Sequence, residues 1–303
     1  MTIGIIGLGL LGTAIAERLL AAGFDVVGFD ISQERNVNLQ KLGGRALGGA
    51  AEVLQSCTPT LLSLPTSDIV GDLLAQMPPD LPGKTIIDTT TGEPVAMDEI
   101  GRNLARRGAD YLVASVGGSS AQVRRGEAIV MTGGSDQLAA HCDDVLRTFS
   151  RQRFHLGTWI AAARMKLVTN HVLGLNRAVL AEGLAFARAC GLNPRQVLEV
   201  LKAGPAFSLA METKGERMLS YISQIGDAGS GPTESPPPEA RLIQHYKDVQ
   251  LMMQEGETVC ATLTFAMAHQ ICLETVIAMG YGDEDNSAVI SFFLPDPSES
   301  EDA

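Results

Sequence analysis

"TIGIIGLGLLGTAIAERLLAAGFDVVGFD", residues 2–30, decides the fold class. Residues 2–7 form a short apolar run, as a strand buried on both faces of a parallel sheet requires. Gly7, Gly9 and Gly12 then stand in G-x-G-x-x-G spacing. A helical stretch over 13–22 stops at Gly23, and a second apolar run, 24–30, ends in Asp30. Strand, glycine loop, helix, strand and acid in this order form a dinucleotide fingerprint. Each glycine has its own reason. Gly7 lets the chain turn tightly, Gly9 puts no side chain between a pyrophosphate and the backbone, and Gly12 lets the helix lie close to the strand. The N–H groups near Leu10 and Leu11 then face the phosphates at the positive helix end. Asp30 accepts ribose hydroxyls and repels a 2′-phosphate, which favours NAD. Arg35, five residues on, softens that preference and leaves NADP possible.

The alternation continues along the chain. Residues 60–65, 84–90, 109–116 and 127–134 read as strands, and 67–76 and 95–107 as helices. Strands alternating with helices of this length imply βαβ units and a mainly parallel sheet. After Gly157 the pattern changes. Residues 160–190 read as one long helix ended by Gly191, and a new helix starts with Asn193 as N-cap and Pro194 at its first position. The expected layout is an α/β domain over 1–157 and a helical domain over 158–303, joined by that long helix. The Gly-, Ser- and Pro-rich stretch 226–239 reads as a flexible surface loop, and the acidic tail after residue 295 as disordered.

The totals narrow the function class. The 303 residues are 45% hydrophobic and 19% charged, with a formal charge of −12. Such a surface repels nucleic acid and acidic membranes, so neither is an expected partner. An anionic small molecule needs a local device such as a helix N-terminus. The five cysteines include no C-x-x-C pair, and the five histidines form no ligand pattern, so neither a disulfide framework nor a metal site is expected. The chain enters a strand at once and holds no bilayer-length apolar run, which makes the cytoplasm the expected compartment.

Several ordered motifs resemble the β-hydroxyacid dehydrogenases, the 3-hydroxyisobutyrate dehydrogenase group of the 6-phosphogluconate dehydrogenase-like superfamily. They are the glycine fingerprint, "LPTSDIV" from Leu64, "DTTTGEP" from Asp88, "KLVTN" from Lys166, "YKDVQL" around Lys247 and "GYGDEDNSAV" near the C-terminus. The resemblance implies a Rossmann-like first domain, an all-helical second domain, and a homodimer or homotetramer. It puts Leu64 and Pro65 beside the nicotinamide ribose, Thr91 between cofactor and substrate, and Lys247 over the cofactor. It also makes Lys166 the catalytic lysine and Asn170 its partner. A Lys and an Asn four apart project from one helix face. Beside a cationic nicotinamide, a partly desolvated Lys is expected to titrate near neutrality and to exchange a proton with the substrate hydroxyl.

One stretch departs from the family. "VASVGGSSAQVRRGEA", residues 113–128, stands where relatives have D-A-P-V-S-G-G. Val113 falls on the Asp and Gly117 on the Ser, while Gly118 keeps its place. Gly117, Gly118 and Ser119 are the expected cradle for a substrate carboxylate, offering N–H groups but no hydroxyl at 117. Ser115 and Ser119 are the nearby hydroxyls available to stand in for it. The expected reaction is NAD(P)-dependent oxidation of a short 3-hydroxy acid, or reduction of its semialdehyde. A decarboxylating sugar-acid dehydrogenase is a rival, but it calls for His where Thr169 stands. Lys166 argues against an imine reductase. A nucleotide-binding regulatory protein with little catalysis is the rival of another kind. His171, Arg124 and Arg125 read as packing or solvated groups, and Met252, Met253 and Met267 as core.

Overall fold

The computed structural model describes residues 1–226 and 237–294, so most of the stretch 226–239 and the tail from 295 lie outside the described residues. Backbone contacts divide the chain into two compact units, Met1–Leu167 and Val168–Ala303.

The first unit is built on one eight-stranded sheet. Its strands are β1 (Thr2–Ile6), β2 (Asp25–Phe29), β3 (Arg45–Ala46), β4 (Thr60–Leu62), β5 (Thr85–Asp88), β6 (Asp110–Gly117), β7 (Ala128–Gly133) and β8 (Ser150–His155). They lie in the order β3-β2-β1-β4-β5-β6-β7-β8, and all neighbours are parallel except β6 and β7. The chain winds outward from β1 through β2 to β3, then returns to β4 on the other side of β1. That reversal opens a crevice beyond the carboxyl ends of β1 and β4, where ligands of such sheets bind.

Both faces of the sheet are covered. Ile3, Ile5, Leu112, Ala114 and Val116 pack with Ile15 and Leu19 of the helix Leu10–Ala21. On the other face Ile6, Leu62, Ile86, Tyr111 and Val113 pack with Met97, Leu104, Ala162 and Ala163. Full burial of each large aliphatic side chain stabilises the fold by about 1.5–3 kcal/mol. Several short elements escape the sequence reading, among them β3 and the helices Gln33–Lys41, Ala50–Ser56 and Ser120–Arg124. β3 has only two residues, too few for periodicity to register. The helix Gln33–Lys41 buries only Asn36 and Leu39, so it lacks an apolar stripe.

The helix Trp159–Ala189 has 31 residues, a length of about 46 Å. Its first turns pack on the sheet, with the Trp159 indole donating to the Tyr111 carbonyl at 2.8 Å. In the second unit Asn193 caps the helix Pro194–Ala203, accepting from the N–H groups of Arg195 and Gln196 at 3.0 and 3.3 Å. The helices Leu209–Gly226, Leu242–Thr258 and Thr264–Val276 follow, then a π turn, Ile277–Tyr281, and a 3₁₀ segment, Asn286–Phe293. Buried Lys214 donates to both oxygens of Asp285 at 2.9 Å, tying the helix Leu209–Gly226 to the start of that segment. Met252 is buried, but Met267 is 55% exposed: it shares the outer face of its helix with Ile271, so it is not core.

Candidate active site

The glycine loop follows β1 as the fingerprint requires. Gly7 has φ +93°, and a Cβ there would collide with the Ser63 carbonyl after β4. A Cβ on Gly12 would land on the Gly7 carbonyl oxygen, 3.0 Å from its carbonyl carbon. Gly9 differs. Its φ is −68° and a Cβ would meet nothing within 4 Å, so neither conformation nor packing demands glycine there. It is the N-cap of the helix Leu10–Ala21, with no capping side-chain bond and no acid in the first turn. The N–H groups of Leu10 and Leu11 begin that turn. An open cradle at an uncapped positive helix end fits the phosphates of a dinucleotide.

Asp30 follows β2 and is buried. Its carboxylate accepts the Leu8 N–H at 2.7 Å and the Ser32 N–H at 2.9 Å, and Arg35 Nη1 lies 3.2 Å away. The Asn36 side chain closes a second ring, accepting the Asp30 N–H and donating to the Asp30 carbonyl, both at 2.8 Å. The acid, the glycine loop and Arg35 thus form one unit.

The loops after β4 and β5 are also tied together. Leu64 N–H donates to Thr90 Oγ1 at 3.2 Å, and Glu93 N–H donates to Ser67 Oγ at 3.1 Å. Pro65 leads to Thr66, whose hydroxyl caps the helix Ser67–Ala75. Thr91 follows Thr90 in the loop beyond β5. Beneath it, buried Asp88 accepts from Thr90 N–H at 2.9 Å and from the Tyr111 hydroxyl at 2.8 Å. Burial raises the Asp88 pKa against the opposing pull of those bonds.

β6 ends at Gly117, and Gly118 (φ +143°) follows it. Ser119 then caps the short helix Ser120–Arg124 in a capping box. Its hydroxyl accepts from Gln122 N–H at 3.3 Å, and its own N–H donates to Gln122 Oε1 at 2.9 Å. That engages one N–H of the expected carboxylate cradle. Ser115 is buried within β6, where its hydroxyl has no hydrogen-bond partner. Arg124 pairs with Glu17 and Arg125 with Glu127 at the surface. Lys166 Nζ donates to the Val116 carbonyl at 2.7 Å, which sets the ammonium next to Gly117.

In the second unit Asn170 is buried, and its Nδ2 donates to Asp248 Oδ2 at 2.7 Å. This bond orients the amide. Lys247 Nζ lies 3.2 Å from Asp248 Oδ1 in an ion pair. Buried Arg177 carries a charge that Asp285 and Asp248 support, although burial pulls its pKa down to about 10. Asp248 received no role in the sequence reading. Its place beside Lys247 in "YKDVQL" was the only signal, and its contact with Asn170 spans 78 residues.

The chain is similar to known proteins over nearly its whole length. The family described as the NAD binding domain of 6-phosphogluconate dehydrogenase matches residues 2–157. The family described as NAD-binding of NADP-dependent 3-hydroxyisobutyrate dehydrogenase matches residues 161–293. The chain is 31% identical to 2-(hydroxymethyl)glutarate dehydrogenase of Eubacterium barkeri, over 95% of this chain and 93% of that protein. It is 26% identical to the cytokine-like nuclear factor N-PAC of Anopheles gambiae, over 94% of this chain but 49% of that protein, so it spans about half of that relative. The crystal structure of 3-hydroxyisobutyrate dehydrogenase from Salmonella typhimurium shares the fold, with a TM-score of 0.83 at 24% identity over 96% of this chain and 99% of the other. The chain belongs to the β-hydroxyacid dehydrogenase family. It is an NAD(P)-dependent dehydrogenase acting on CH–OH. Among the described residues no helix is long and apolar enough to cross a membrane.

Proposed function

We propose that this enzyme interconverts a short 3-hydroxy acid and its semialdehyde, with Lys166 as general acid and base. The observation that carries the reading is the Lys166 ammonium, held 2.7 Å from the Val116 carbonyl at the end of β6. The nicotinamide, when bound, supplies the hydride acceptor or donor. In oxidation the neutral Lys166 amine takes the hydroxyl proton as the C–H bond breaks, and in reduction the ammonium returns a proton to the developing alkoxide. Asn170, four residues on along the same helix, holds the hydroxyl or the amine through its Oδ1 while Asp248 fixes its Nδ2. The substrate carboxylate rests on the backbone around Gly117 and Gly118 at the entry to Ser119. Thr91 contacts ribose and substrate, Leu64 and Pro65 line the ribose, and Lys247 closes over the cofactor.

Asp30 gives a preference for NAD, and Arg35 tempers it. Lys166→Ala is expected to lower kcat by about 10²–10⁴-fold with cofactor affinity kept, read by reduced-nicotinamide absorbance with NAD and NADP in separate runs. Turnover equal to wild type would remove Lys166 from proton transfer.

Two copies of the chain pair through the long helix in this reading. Val172, Val179 and Phe186 are exposed and recur every seven residues, the spacing at which like helices pack. Light scattering should report a dimer or tetramer, and a monomer for Val179→Asp/Phe186→Asp. A monomeric wild type would end the proposal.

A further inference from the structure

Asp88 ends β5 and is entirely buried. Burial raises its pKa, so the fold keeps an acid where an apolar side chain would pack without that penalty. Its register partner across the parallel pair β5 and β6 is Val113, which brings no second charge. Both carboxylate oxygens are taken by donors of the chain. Thr90 N–H meets Oδ1 at 2.9 Å, and the Tyr111 hydroxyl meets Oδ2 at 2.8 Å.

Each donor leads to a different part of the first unit. The Thr90 hydroxyl accepts the Leu64 N–H at 3.2 Å, so the loop after β4 hangs on the loop after β5. Glu93 N–H, donating to Ser67 Oγ at 3.1 Å, ties the same two loops again. Thr91 lies between these two ties. On the other side Tyr111 presents its carbonyl to the Trp159 indole at 2.8 Å, and the two ring centroids are 6.1 Å apart. Trp159 opens the helix that carries Lys166. Hydrogen bonds thus link one buried carboxylate to the loops of Leu64, Pro65 and Thr91 and to the start of the Lys166 helix.

We propose that Asp88 and Thr90 are positioning residues for the nicotinamide end of the cofactor. Both are buried behind the residues that would touch the ligand. Asp88 fixes Thr90, and the Thr90 hydroxyl sets where Leu64 and Pro65 stand. The two loops then hold the nicotinamide ribose in one place relative to Lys166. This rests on the reading of Leu64, Pro65 and Thr91 as ribose contacts. Without the hydroxyl, the Leu64 N–H loses its acceptor and the loop is freed. Misplacing a reacting group by about 1 Å is enough to slow a reaction roughly a hundredfold.

The test sets NADH against ADP, which reaches only the adenosine and pyrophosphate sites. Dissociation constants for both are measured by calorimetry, with thermal melts to check folding. Thr90→Val keeps the shape of the side chain and its N–H but removes the hydroxyl. It should raise the Kd for NADH about tenfold and leave that for ADP within about twofold of wild type. Thr90→Ser restores the hydroxyl and should recover most of the loss. Asp88→Ala should weaken NADH in the same selective way, and Thr90→Val added to it should weaken binding little further, since both act through one chain of bonds. Where Asp88→Ala does not fold, the two Thr90 variants decide. An NADH affinity unchanged in Thr90→Val overturns the inference, as does an equal loss for ADP. Thr91→Ala tests the underlying reading separately. Normal NADH binding there removes the ribose contact, whereas weakened binding there beside a normal Thr90→Val removes only the positioning role.

Discussion

Gly9 and Gly12 lie three residues apart in one motif, yet alanine at the two positions should have opposite consequences. At Gly12 the new methyl would land on the Gly7 carbonyl oxygen and stand 3.3 Å from Ser63 Cβ. Both neighbours are fixed by strand ends, so the helix Leu10–Ala21 must move off β1. Overpacking against a fixed backbone costs about 1–3 kcal/mol or more. In a unit of this size that corresponds to a fall in Tm of roughly 2–12 °C. At Gly9 the methyl meets nothing within 4 Å, and φ is ordinary for any residue. Gly9→Ala should therefore melt within about 0.5 kcal/mol of wild type, as surface substitutions do. The same methyl would stand between the backbone and a bound pyrophosphate, so the Kd for NADH should rise at least about tenfold, or 1.4 kcal/mol. The assays are thermal melts without cofactor and fluorescence titration with NADH. A Gly9→Ala protein that binds NADH normally, or that melts as early as Gly12→Ala, would refute the division of labour between these glycines.

Asp248→Ala removes the charged acceptor that orients Asn170. Such a bond contributes about 1.5–3 kcal/mol, so kcat/KM should fall roughly 10- to 100-fold. Asp248→Asn retains an oxygen acceptor and should lose less; equal losses in the two variants would argue against orientation as the cause. His269 supplies a pH dependence. It is buried against the His245 ring, with centroids 5.1 Å apart. Burial first, then the charges of Arg177 and His171, lower its pKa from 6.5 to about 4. The unfolded chain therefore takes up the proton more readily, and folding stability should fall as pH drops from 6.5 towards about 4. Urea melts across that window should show a shallower slope for His269→Gln, and an unchanged slope would mean that other groups set the profile.

Residues 2–30 carried the fold because every requirement in them is local: an apolar run, three glycines at fixed offsets, and an acid at the end of the next strand. The long helix was equally legible, since Gly191, Asn193 and Pro194 mark its end and the next start within a few residues. Ser119 was placed in a substrate cradle by motif position alone. Its capping box with Gln122 became visible only once the strand was seen to run through Gly117. The Asp248–Asn170 and Asp88–Tyr111 bonds lay beyond reach for a different reason. Each joins residues on separate elements, and strand register or helix packing, not periodicity, brings them together. Met267 failed because an apolar residue type does not say which face of its helix is covered.

Asp30 has a consequence for how this enzyme can change. Its carboxylate holds the Leu8 N–H of the glycine loop at 2.7 Å, and in the proposed reading it would also meet the ribose. Replacing it to admit a 2′-phosphate would leave that N–H without its acceptor and loosen the phosphate cradle. Arg35 reaches the same carboxylate from a half-exposed position and supports no backbone group there. Selection for NADP use should therefore accumulate substitutions around position 35 while retaining the aspartate. Cofactor choice drifts at the rim, and the acid at the centre stays constrained by the shape of the loop it holds.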